Sequence, residues 1–171
     1  MERSGYIQDA GLSNDNQQVY FNPKDKKLLV SVAGTHKLKD WGTNLWLAAG
    51  GLKSTDRYKE ADNILKQAKT KYKVPNATVV GHSLGGAIAS NIASKAGGDK
   101  AITLDAGYTI GQKTRSNTNA FRTQGDLVSL LGANATHMTT LKNNSIRTGI
   151  RPLDVLNAHN VNQIRKEKIF V

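Results

Sequence analysis

The sequence predicts an α/β fold: a mostly parallel sheet with helices on both faces, led by an N-terminal antiparallel hairpin. Two observations point there. Strand and helix signals alternate from about residue 17 to residue 123, the pattern of a covered parallel sheet. The stretch VVGHSLGGAIAS, Val79 to Ser90, passes from β-branched residues through a glycine-rich corner into small and apolar residues at helical spacing. The chain has 171 residues with no repeat, low-complexity segment or Pro/Ser-rich linker, so one domain spanning 1–171 is expected.

The elements follow in order. QQVYFN (Gln17 to Asn22) and KLLVSVA (Lys27 to Ala33) flank Pro23-Lys24-Asp25-Lys26, in which proline and aspartate favour a bend; they read as an antiparallel pair. Asp40 to Ala49 reads as a short helix ended by Gly50-Gly51. Ser54 is the expected N-cap of a helix over Thr55 to Lys73, with Tyr58, Ala61, Leu65, Ala68 and Tyr72 on one face. Ala77 to Val80 suits a buried parallel strand, and a helix runs from the corner to about Ala96. Lys100 to Leu104 and Asn119 to Thr123 read as further strands. In such a sheet the site lies at the carboxyl ends of the strands.

Composition narrows the function. With no cysteine there is no disulfide framework, thiol nucleophile or thiolate metal site. No apolar run approaches the roughly 20 residues of a membrane span. The start MERSGYIQDAG has no secretory h-region, so an intracellular or virion-associated setting is expected rather than classical secretion. Lysine and arginine number 24 against 13 acids, a net charge of +11 that attracts polyanions, whether nucleic acid or anionic lipid. The cations concentrate at Lys24 to Lys27, Lys66 to Lys73 and Arg165 to Lys168, where a solvated surface is at least as good a reading as a binding surface. No helix-turn-helix, zinc-ligand or aromatic-basic motif accompanies them, which disfavours nucleic acid.

Gly81, Ser83 and Gly85 form G-x-S-x-G between strand and helix, the nucleophile-elbow pattern. A sharp turn there needs neighbours without side chains and lifts the serine hydroxyl above the sheet. It also directs the first helical amides, Leu84 N–H among them, at the place where an oxyanion would form.

These residues resemble the class 3 lipases of the α/β-hydrolase fold. VYFNPKDKKLLVSVAGTHKLKDW is similar to that family's strand, turn and strand leading to Gly-Thr and then Asp-Trp, and GHSLGGAIA to its nucleophile segment. The likeness runs from about Gln17 to His159. Ala33 stands where the family usually carries arginine, before the Gly-Thr.

A serine nucleophile needs a base and a third group to orient it, in the chain order Ser, Asp or Glu, His. Asp126, in FRTQGDLVSLL, follows a predicted strand and matches the family's catalytic-acid segment; Asp105, ending the preceding strand, is the runner-up. Of the four histidines, His82 lies inside the elbow and reads as packed structure, and His36 precedes the serine. His137 falls 11 residues after Asp126, where the family often has a noncatalytic histidine, and His159 lies where the resemblance places the base. The resemblance further implies that Thr35 supplies an oxyanion-hole donor opposite Leu84.

The function implied is hydrolysis of a lipid carboxylic ester, triacylglycerol or phospholipid, through an acyl-enzyme, with no metal or organic cofactor. Trp41, Leu45, Trp46 and Leu47 read either as core or as a small lipid-binding flap. With the positive charge, a flap would make anionic phospholipid a substrate or docking surface. The alternatives are a catalytically silent hydrolase fold serving as a basic membrane-binding or structural protein, and a nucleic-acid-binding module suggested by charge alone. Oligomeric state is left open.

Overall fold

The computed structural model describes residues 5–34, 51–95, 98–107, 115–126 and 138–141. They build one seven-stranded sheet in sequential order: β1 (Ile7–Gln8), β2 (Gln17–Asn22), β3 (Lys27–Val32), β4 (Thr78–His82), β5 (Lys100–Leu104), β6 (Thr118–Thr123) and β7 (Met138–Leu141). β1, β2 and β3 pair antiparallel, and every later pairing is parallel. Helix α1 (Asp56–Tyr72) joins β3 to β4, and α2 (Leu84–Lys95) joins β4 to β5. The expected α/β-hydrolase architecture, hairpin included, is present.

Local chemistry sets the boundaries. The hairpin turn closes because Asn22 Oδ1 accepts from the amides of Lys24 at 3.0 Å and Asp25 at 3.1 Å, while Lys26 takes a left-handed φ of 51°. Thr55, not Ser54, caps α1, its hydroxyl accepting from Tyr58 N. Leu52–Ser54 forms a 3-10 turn in which the Ser54 hydroxyl donates to Gly51 O, and that turn delays the helix by one residue. The other end of α1 closes on Lys73, left-handed at φ 51°, whose amide bonds back to Lys69 and Thr70. β4 begins at Thr78 because the Ala77 amide is held by the Asp99 carboxylate at 2.7 Å.

The register aligns Val19, Val30, Val79 and Ala101 across four strands, all fully buried. Tyr58, Ala61, Leu65 and Ala68 of α1 and Ile88 and Ile92 of α2 join the same core. Tyr72, expected on that face, is half-buried and stacks on Phe21 with ring centroids 4.0 Å apart. Right-handed crossovers that step the same way along the sheet put both helices on one face. The opposite face shows half-buried Leu29, Val80 and Ile102. The expected second helical layer, the Asp40 to Ala49 helix and its tryptophans lie outside the described residues. No helix among the described residues is long and apolar enough to cross a membrane.

The charge runs resolve differently. Within Lys66 to Lys73, Lys66 pairs with Asp62, Lys69 with the buried Asp99, and Lys71 with Asp9, so this run knits the fold together. Lys26 and Lys27, with Lys100, line an open cleft at the amino ends of the strands. Arg165 to Lys168 lie outside the described residues.

Candidate active site

Four chain segments leave the sheet at one edge. Gly34 lies just past β3, and Ser83, Asp105 and Asp126 follow β4, β5 and β6. Parallel pairing puts these carboxyl ends side by side, as the sequence pattern requires.

Ser83 sits in the left-handed region at φ 60°, a strained place for a residue with a side chain. It is tied on both sides, its amide donating to Leu104 O at 3.0 Å and its carbonyl accepting from Ala87 N at 3.1 Å and Gly107 N at 3.3 Å. The glycines are required by crowding rather than by φ. A Cβ on Gly81 would stand 2.3 Å from the Gly85 carbonyl oxygen, and one on Gly85 would stand 2.2 Å from Val32 O. On Gly86 it would meet the Ala106 Cβ at 2.8 Å, so the third glycine lets α2 close on the segment after β5.

The Ser83 side chain is buried, and its hydroxyl has no hydrogen-bond partner among the described residues. Gly34 stands directly over it: a Cβ there would lie 3.3 Å from Ser83 Cβ and 3.6 Å from its Oγ. Leu84 opens α2, and its amide belongs to the first turn, where N–H groups have no helical acceptor.

The acid side holds two carboxyls. Asp105, left-handed at φ 45° and fully buried, accepts from Thr123 N at 2.5 Å and from Thr123 Oγ1 at 2.8 Å. A side-chain hydrogen bond links it to Asp126, which is also buried. Burial, then the charge of Asp126, push the Asp105 carboxyl up to about 7. A proton kept on Asp105 therefore makes it a donor to Asp126. The turn that presents Asp126 uses Gly125 at φ 87°, with Asp126 N bonded to Thr123 O at 3.1 Å. Asp105 and Asp126, rivals by chain order, are neighbours in the fold.

Of the four histidines, His82 lies among the described residues. His82 ends β4, three residues from Val79, so strand alternation puts it on the face opposite the α1 and α2 core. His137 lies outside the described residues. Thr35, His36 and His159 lie outside the described residues. Among those described, no group of three or more His, Cys, Asp or Glu residues could hold a metal.

Ala33 receives a partner the sequence did not announce. Arg57 Nη2, from the first turn of α1, donates to Ala33 O at 2.7 Å and to Gly34 O at 3.3 Å. Nothing in the residues around Arg57 signals this, because the contact spans more than 20 positions of chain.

A phospholipase-like family model, described as the Tle-like phospholipase domain, matches residues 2–164. No curated protein matches the sequence. Among solved structures, a deletion mutant of Rhizomucor miehei lipase in complex with its propeptide is similar at 15% identity and a TM-score of 0.50, over 82% of this chain and 56% of that one. A variant of MDLA from Penicillium cyclopium is similar at 16% identity and a TM-score of 0.48, over 87% of this chain and 66% of that one. The chain thus spans less than two thirds of the length of either. The first likeness bears on the fold alone, which it supports.

Proposed function

The chain belongs to the Tle-like phospholipase domain family, and from that premise we propose that it is a serine hydrolase of phospholipid carboxylic esters. The observation that carries the proposal is Ser83: a buried hydroxyl, without a partner among the described residues, held at φ 60° between a parallel strand and the amino end of a helix. A purely structural serine has no need of that backbone or of three crowded glycines around it.

In the proposed mechanism His159 removes the Ser83 proton as the oxygen attacks the ester carbonyl. Asp126 orients the imidazole and stabilises its protonated form. The amides of Leu84 and Thr35 receive the negative charge of the tetrahedral intermediate, each donor contributing about 2.7–4 kcal/mol to the transition state. His159 then protonates the leaving alcohol, and water attacks the acyl-enzyme by the reverse sequence. No metal or organic cofactor enters these steps. Asp105 enters as the carboxylic acid that steadies Asp126, and His137 is left out on chain order and on the placement the resemblance implies.

Class 3 lipase membership in the narrow sense, triacylglycerol turnover and docking on anionic membranes belong to the same proposal as its finer branches. The test is hydrolysis of a short-chain nitrophenyl ester, dispersed triacylglycerol and phospholipid vesicles by wild type and by Ser83→Ala, Asp126→Ala, His137→Ala and His159→Ala. Phospholipid is the expected preferred lipid. Loss in all variants except His137→Ala supports the assignment, whereas a folded wild type inactive on all three esters moves the reading to a silent fold.

A further inference from the structure

Arg57 is poorly placed for its helix. It stands in the first turn of α1, two residues after the Thr55 cap, where the helix dipole disfavours a cation. It is also half-buried, and burial, partly offset by the charge of Glu60, lowers its pKa from the usual arginine value. Its Nε is buried with no hydrogen-bond partner among the described residues. Helix stability and solvation both argue against arginine here, so what it holds needs explaining.

What it holds is the backbone beside the nucleophile. One guanidinium nitrogen bridges the carbonyls of Ala33 and Gly34. The elbow presses close to the same carbonyl, since a Cβ on Gly85 would come within 2.7 Å of Ala33 O. Gly34 itself covers Ser83 Oγ. In a planar trans peptide the carbonyl and the following N–H lie on opposite sides of one rigid unit, so a donor fixed on the Gly34 oxygen fixes the plane of the next amide. It also polarises that amide, because a hydrogen bond accepted at the oxygen strengthens the donor across the peptide.

We infer that Arg57 is the positioning residue of the oxyanion loop: its grip on the Ala33 and Gly34 carbonyls holds the peptide leading into Thr35 in register with Ser83. The inference rests on the serine chemistry proposed above. Arg57 does not touch the substrate; it acts through the loop. A cation here lowers the barrier by keeping a donor aimed at charge that develops only in the transition state, so its removal lowers kcat more than it raises KM.

The experiment measures kcat and KM on a nitrophenyl ester for wild type, Arg57→Lys, Arg57→Gln and Arg57→Ala. Rates are expressed per active site titrated to completion with a fluorophosphonate, so that any misfolded fraction drops out. The expected result is a fall in kcat of about 10- to 100-fold in the Gln and Ala variants, part of the loss known for an oxyanion donor, with KM within about threefold. Lys is expected to lose less, and millimolar guanidinium to restore part of the Ala variant's kcat, neither of which a general loss of packing would give. Should Arg57→Ala not fold, Arg57→Lys and Arg57→Gln decide by the same criterion. An active wild type whose Arg57 variants keep kcat within about threefold, or raise KM alone, overturns this inference and leaves the proposed function standing. An inactive wild type that takes up no fluorophosphonate overturns both.

Discussion

Replacing Asp105 with asparagine removes an ionisable group while keeping its shape, and the structure sets the size of the effect. In the fold its carboxyl titrates near 7, against 3.8 when unperturbed, because it is buried and faces Asp126. The folded state therefore binds more protons than the unfolded one between those values. The stability linked to this proton is fully present below about pH 4, is lost as pH rises toward 7, and stays flat above. At about 1.4 kcal/mol per pH unit, over about three units, the loss is about 4 kcal/mol. Asparagine carries no such linkage. Its amide can donate to Asp126 and to Thr123 Oγ1, and its oxygen can still accept from Thr123 N, so the local hydrogen bonds survive. Urea unfolding at pH 5, 6, 7 and 8 reads this directly: wild type should lose stability across the series by several times more than Asp105→Asn. Parallel curves for the two proteins would refute the buried carboxyl pair and, with it, the assignment of Asp105 as a proton-holding neighbour of Asp126.

Other outcomes follow from single contacts. Ser83→Gly relieves a left-handed residue of its side chain and should raise stability by about 1 kcal/mol while abolishing ester hydrolysis, seen as a higher melting temperature in an inactive protein. Lys69→Met leaves the fully buried Asp99 carboxylate without the cation at 2.9 Å and should cost about 3–5 kcal/mol in urea unfolding. Charge reversal of Lys26, Lys27 and Lys100 together should leave hydrolysis of phospholipid in anionic vesicles largely unchanged. These lysines line the strand amino ends, about 20 Å of β3 away from the edge that carries Ser83, so a membrane presented to Ser83 does not reach them.

The sheet was largely legible because its strands carry strong local signals. KLLVSV alternates its buried positions, and KAITL appears with the expected bounds. β1 and β7 escaped notice for a physical reason. Ile7–Gln8 is only two residues long, and MTTL has no buried position, so each is recruited by pairing rather than by its own pattern. The elbow was readable because steric demand writes itself as glycine. Chain order singled out Asp126, but the Asp105–Asp126 pairing was not legible, since it depends on β5 and β6 ending side by side. Arg57 shows the limit most clearly. An arginine in the first turn of a helix reads as a surface residue, and only the packing of α1 against β3 turns it toward the Ala33 and Gly34 carbonyls.

The measurement that bears most directly on the central claim is mass-spectrometric mapping of a fluorophosphonate adduct, paired with phospholipid hydrolysis before and after labelling. One adduct is expected, on Ser83, formed in step with loss of hydrolysis and absent from Ser83→Ala. An adduct on another residue, or phospholipid hydrolysis that persists in Ser83→Ala, would contradict it.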